Sequence, residues 1–233
     1  MRLKAMAKIN LGLDVLGKRE DGYHEVRMIM QTIRMYDILD IRKTRRPGIV
    51  LTTNLPFIPT DQRNLVYKAA QMLMEEFDVE EGLSIKLRKF IPVAAGMAGG
   101  SSDAAAAFVG VNRMFHLGLT EEQLMERAVK VGADVPYCIM RGTALAEGIG
   151  EKLTRLPEVP KCYVLIGKPG INVSTKTAYE NLNLEGIGKH PDIDGLIGAI
   201  RNNDLYAMAS RMENVFEPVS YTHLRAHETS QDL

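Results

Sequence analysis

Residues 92–108 read PVAAGMAGGSSDAAAAF, with glycines and serines set between an apolar, basic run and a string of alanines. A helix start carries free N–H groups and a partial positive charge, so a side-chain-poor loop ahead of it lets an anion reach several donors at once. Glycine permits the close approach and serine adds hydroxyl donors. The chemistry this pattern suits is the gripping of a phosphate. No Gly-Lys-Ser/Thr follows, and the G-x-G-x-x-G spacing is absent, so neither a Walker loop nor a dinucleotide fingerprint is present. Composition alone also permits a plain connection packed under another element.

The elements around the loop must hold it still. LSIKLRKF (83–90) alternates apolar and polar and predicts a strand running into the loop, with Lys86, Arg88 and Lys89 nearby. A helix is expected from about Ser101 to Phe115. Upstream, Ala7, Ile9, Leu11, Leu13 and Val15 share one face of a strand whose other face carries Lys8, Asn10, Gly12 and Asp14. The Asp21-Gly22 turn links it to a second extended run at 26–42. Residues 64–77 read as an amphipathic helix, and 120–132 as one opened by a Thr-x-x-Gln capping box and closed by Gly132. Strands follow at 143–147 and 162–168, a short helix at 174–183, and helical segments near 194–201 and 204–214. Two prolines in EKLTRLPEVPKC place the domain boundary between 150 and 162, giving segments 1–155, 156–220 and 221–233.

The bulk numbers narrow the function. Among 233 residues, Lys plus Arg equals Asp plus Glu at 29 each, so no global field draws the chain to nucleic acid or an anionic membrane. No apolar run of spanning length and no cleavage pattern occurs, which predicts a cytoplasmic protein with no membrane partner. Cys138 and Cys162 are expected to be reduced.

The loop P-x-x-x-G-x-x-G-G-S-S-D-A (92–104) resembles the second motif of the superfamily that includes galactokinase, homoserine kinase, mevalonate kinase and phosphomevalonate kinase, the GHMP kinases. AKINLGLDVLGKREDGYHE (7–25), Asp61-x-x-Asn64-Leu65-Val66 and VGADVPYCIMRGTALAEGIGE (131–151) are similar to the branch acting on a cytidine diphosphate-linked methylerythritol in the non-mevalonate isoprenoid pathway. The resemblance implies an α+β, two-lobed GHMP-kinase fold. Its N-terminal lobe would be ribosomal-protein-S5-domain-2-like and its C-terminal lobe an incomplete ferredoxin-like one. It implies ATP and Mg2+ as cofactors and phosphorylation of the 2-hydroxyl of a small-molecule substrate.

By the same resemblance the catalytic pair is Lys8 and Asp134, the carboxylate acting as base or orienting group and the ammonium as its partner near the transferred phosphoryl. ATP would lie against Pro92, Val93, Ala94, Ala95, Gly96, Met97, Ala98, Gly99, Gly100, Ser101 and Ser102, with Asn64 and Leu65 beside them. Ser102 is the expected magnesium ligand, and Asp103 is read first as a first-turn carboxylate favouring the helix dipole. Asn10, Tyr23, His24, Thr175 and Tyr179 would bind the acceptor, Tyr179 closing an aromatic sandwich over the base begun by Tyr23-His24. A homoserine- or mevalonate-type kinase, and an inactive truncated binding module, remain the alternatives.

The resemblance stops at about Val219. The ending SYTHLRAHETSQDL continues no strand or helix period, so a truncated frame with a non-native tail at 221–233 is expected, and with it exposed apolar surface. His223 and His227 lack the H-E-x-x-H arrangement and a third ligand, so no metal site is expected there.

Overall fold

The computed structural model describes residues 1–168 and 175–218. Two compact units emerge, neither a single stretch of chain. One comprises Met1–Ile9, Thr32–Val93 and Met97–Arg141; the other comprises Asn10–Gln31, Ala94–Gly96 and the chain from Gly142 onward. A cut at 155 would instead leave each unit continuous. The interleaving arises because two long strands, β1 (Arg2–Lys18) and β2 (His24–Thr44), each contribute residues to both units.

In the first unit β4 (Gly82–Arg88) pairs antiparallel with β2, Ile38 opposite Arg88 and Thr44 opposite Gly82. Strand β3 (Ile49–Thr53), absent from the sequence-based expectation, runs parallel to β4. Leu39, Ile41, Leu83, Ile85 and Leu87 all bury the same parity of the pleat. Against this layer lie α1 (Leu65–Glu76) and α2 (Gly99–Phe115), with α3 (Glu121–Ala128) and α4 (Val135–Met140) packed on each other and on α2. Helix α2 is apolar nearly all round, with Ala104 to Phe108 buried, as a helix enclosed on several sides must be. A side chain at Gly110 would come within 2.5 Å of Ile41 and 2.7 Å of Leu3, so this glycine lets the helix sit directly on the strands.

Caps set the helix starts where the sequence placed them, whereas α3 ends at Ala128, short of the expected Gly132. Asn64 accepts from Val66 N–H at the start of α1. Thr120 and Gln123 form the reciprocal capping box of α3. The α4 helix was not expected; its six residues with Pro136 in the first turn read locally as a turn.

In the second unit β5 (Thr143–Gly148) pairs antiparallel with Val26–Gln31 of β2, and β6 (Lys152–Leu156) with β5. Helices α5 (Thr175–Glu180), α6 (Ile193–Arg201) and α7 (Leu205–Ala209) complete it. Ile193 and Leu196 of α6 pack at 3.0 and 3.1 Å from where a Gly12 side chain would begin. Arg27 clasps Asp194 through two hydrogen bonds of 2.8 and 2.6 Å.

The strand expected at 162–168 is corrected: those residues form no strand, and the strand of this region is β6 at 152–156. The run Cys-Tyr-Val-Leu-Ile has strand composition, but no described residue pairs with it, and Leu165 stands 99% exposed. Composition favours an extended chain; only a partner makes it a ladder. Helix α7 is shorter than the expected 204–214. The expected tail, with His223 and His227, lies outside the described residues.

Candidate active site

The loop begins where β4 ends and finishes as the N-cap of α2. Ala94, Gly96 and Ala98 all hold left-handed backbone, at φ of 55°, 68° and 52°. Left-handed residues alternating along a loop curl successive N–H groups toward one side, an anion-binding concavity. Two of the three are alanines, which adopt this conformation only at a cost, so the surrounding structure imposes it. Ala98 supplies no side-chain cap to α2, which leaves the first-turn amides uncapped by any side chain.

Strand β1 holds the loop's far end. Lys8 N–H donates to the Met97 carbonyl at 3.2 Å, and the Ser102 hydroxyl donates to the Met6 carbonyl at 2.6 Å. The same strand thereby carries the Lys8 side chain to the start of α2. Its ammonium lies 3.8 Å from the Asp134 carboxylate; the lysine side chain is 6% exposed and the aspartate 31%. Asp134 is the N-cap of α4 yet makes no capping hydrogen bond with its side chain, so the carboxylate is not tied to its own helix. At 3.8 Å the pair attract without closing a hydrogen bond.

Several expected residues have structural work. Asn64 commits Oδ1 to the cap of α1 and an N–H to the Pro59 carbonyl at 2.7 Å. Leu65 Cδ1 lies 3.6 Å from the position of a Gly100 side chain, placing it against the first turn of α2. Ser102 is 2% exposed and donates its proton to the Met6 carbonyl, which fixes the helix to β1. No group of three or more His, Cys, Asp or Glu among the described residues forms a metal cage.

Sequence reasoning missed a buried cluster beneath the loop. Lys89 donates to both Asp37 and Asp103, to the latter at 2.7 Å, and all three side chains are at most 5% exposed. Burial holds the Asp103 carboxyl well above its ordinary range, against the lowering effect of Lys89. The signal was present: Asp37 shares parity with the buried Leu39 and Ile41, and Lys89 with the buried Leu83, Ile85 and Leu87. A charge at a core parity needs a buried partner.

In the second unit His24 and Tyr179 stack at 4.8 Å between ring centroids, and Tyr179 meets Phe216 edge-on at 4.7 Å. Burial, with Lys18 nearby, shifts the His24 imidazole below its usual range. The sandwich expected from Tyr23-His24 and Tyr179 would need these rings further apart. A base between two rings needs about 7 Å, two contact layers, and His24 already touches Tyr179. The rings make a platform instead, with Phe216 an unforeseen member, while Tyr23 stands apart and 60% exposed. Asn10 is half-buried two residues beyond Lys8 on β1. The Thr175 side chain lies outside what is described.

A glycine loop opening onto an uncapped helix start, with a lysine and a carboxylate beside it, defines a small-molecule kinase that uses ATP. Residues 64–142 match the model of the GHMP kinases N terminal domain. The chain is 56% identical over 220 residues to a 4-diphosphocytidyl-2-C-methyl-D-erythritol kinase of Lachnospira eligens, covering 94% of this chain and 76% of that one. It is 48% identical over 233 residues to the kinase of that name in Clostridium beijerinckii, covering 100% of this chain and 82% of the relative. A crystal structure of 4-(cytidine 5'-diphospho)-2C-methyl-D-erythritol kinase superposes with a TM-score of 0.78 at 28% identity, over 99% of this chain and 81% of the other. Homoserine kinase from Cytophaga hutchinsonii, at 19% identity and a TM-score of 0.71, shares the fold. The chain belongs to the 4-diphosphocytidyl-2-C-methyl-D-erythritol kinase family of GHMP kinases.

Proposed function

We propose that this chain transfers the γ-phosphoryl group of ATP to the 2-hydroxyl of 4-diphosphocytidyl-2-C-methyl-D-erythritol. The observation that carries the reading is the Lys8–Asp134 pair at the start of α2, on the strand that also fixes the end of the glycine loop. Loop and first-turn amides hold the polyphosphate. Asp134 orients the acceptor hydroxyl and takes its proton as the new P–O bond forms. Lys8 offsets the charge spread over the transferring group, where positioning and electrostatics supply most of the rate.

Asp134 would be the carboxylate to hold a Mg2+ arriving with the nucleotide, and the ion would supply charge neutralisation that one lysine cannot. The platform of His24, Tyr179 and Phe216 offers a flat apolar face to the cytosine, with Tyr23 exposed to meet its edge.

The test is a transfer assay with ATP and three acceptors. Phosphorylation of the cytidine substrate, with homoserine and mevalonate left unmodified, is the expected result. Transfer to either small acceptor in preference to the cytidine compound overturns the substrate assignment, because a small acyclic acceptor has no base for the platform.

A further inference from the structure

We infer that Asp37, Lys89 and Asp103 form a buried relay that positions the phosphate loop by tying together the residues just before it and just after it. The relay thereby sets nucleotide affinity. The inference rests on the reading of this loop as the ATP site.

The connections run in one chain of contacts. Asp37, on β2 and fully buried, accepts at Oδ1 from the N–H groups of Phe90 and Ile91, at 2.5 and 2.8 Å. These are the last two residues before Pro92. Its Oδ2 accepts from the Lys89 ammonium, which donates onward to Asp103 Oδ2 at 2.7 Å. Asp103 lies in the opening turns of α2, just after the loop. Lys89 is itself pinned by Asn54, which accepts from its N–H at 2.7 Å and donates to its carbonyl at 3.1 Å. A side chain at Gly99, the first residue of α2, would lie 3.1 Å from the Lys89 ammonium and 3.2 Å from Ile91. The helix start therefore rests directly on the charge that joins the two ends.

The other oxygen of Asp103, Oδ1, is buried with no hydrogen-bond partner among the described residues. The hold on this carboxyl therefore runs through its Oδ2, where the Lys89 ammonium and the neighbouring Asp37 meet it, and the register of the helix start depends on that contact. Such a cluster is costly to bury, and hydrophobic packing would serve stability as well. A positioning role accounts for charges where apolar residues would otherwise suffice. The residues touch neither reacting atom nor the Lys8–Asp134 pair in any described contact, so they act through the loop.

The experiment measures ATP affinity by calorimetry, and kcat with both KM values, for the full chain and for Asp103→Asn. Asn112→Ala serves as control, removing a clasp to Leu119 at the opposite end of α2. All are read below the onset of unfolding. The relay predicts ATP dissociation constant and KM both raised about tenfold in Asp103→Asn, with kcat at saturating ATP and acceptor KM within about twofold of the parent. The control, though less stable, should bind ATP normally. Unchanged ATP affinity in a less stable Asp103→Asn overturns the relay and leaves the ATP site standing. A parent chain that does not bind ATP removes both. Should Asp103→Asn fail to fold, hydrogen exchange on the parent decides: Phe90 and Ile91 amides protected at least about 10²-fold more than those of Ala94 and Ala95 support the relay, and equal rates refute it.

Discussion

Two groups of lysine and aspartate lie in the same compact unit, and they differ in nearly every physical respect. Lys8 and Asp134 stand 3.8 Å apart with the carboxylate 31% exposed, close enough to attract and open enough to admit a third party. Lys89, Asp37 and Asp103 are sealed from solvent and joined by hydrogen bonds through the ammonium. The lesson is that residue type carries little of the meaning. A buried ammonium serves as a reagent when its carboxylate partner stands open to solvent and as a rivet when its partners are buried with it.

Variants can break that contrast, beginning with the rivet. Lys89→Met leaves two buried carboxylates without their cation and should cost about 3–5 kcal/mol in a denaturant titration. A loss under about 1 kcal/mol would mean the cluster is no rivet. Next is the reagent: Asp134→Asn should lower turnover roughly 10²-fold or more with little change in nucleotide affinity, since the side chain caps nothing. Near-normal turnover would remove Asp134 from the chemistry.

A pH series sharpens the contrast further. The folded chain keeps the Asp103 carboxyl titrating well above its ordinary value of 3.8. Between 3.8 and that raised value the folded state holds a proton the unfolded state has released, so this contribution to stability falls as pH rises through the window. Asp103→Asn should flatten the decline, by at most about 1.4 kcal/mol per pH unit, in unfolding free energies measured upward from the ordinary carboxyl value of 3.8. A variant and parent with parallel pH curves would show that Asp103 does not hold its proton.

The smallest effect belongs to the exposed run at 162–166. Leu165→Ser should change stability by no more than about 0.5 kcal/mol, because the side chain packs on nothing described, while reducing self-association seen by light scattering. A large destabilisation would show that a partner covers it.

The same contrast explains what the sequence could disclose. Local signals with local causes were legible: the helix after Asn64, the Thr120–Gln123 box and the loop-to-helix order of 92–115 all appear as read. The Lys8 and Asp134 assignment came from motif resemblance, and the fold brings these residues together across 126 positions of chain. Features decided by distant partners were not legible. Residues 162–168 have strand composition and no ladder, whereas KLTRL at 152–156 looked like a linker and pairs with β5. The buried cluster was hidden because Lys86, Arg88 and Lys89 read as one basic run, although only Lys89 falls on the core side of the pleat. The aromatic platform included Phe216 because the Leu13 backbone bonds to Glu213 and Val215, a pairing that spacing does not forecast.

The most direct test is made on Lys8→Met: the rate of phosphoryl transfer from ATP to the cytidine substrate, measured beside the unfolding free energy of the same preparation. The account predicts a rate at least about 10²-fold lower with unfolding free energy within about 1 kcal/mol of the parent. A rate near the parent's, in a folded protein, would contradict it.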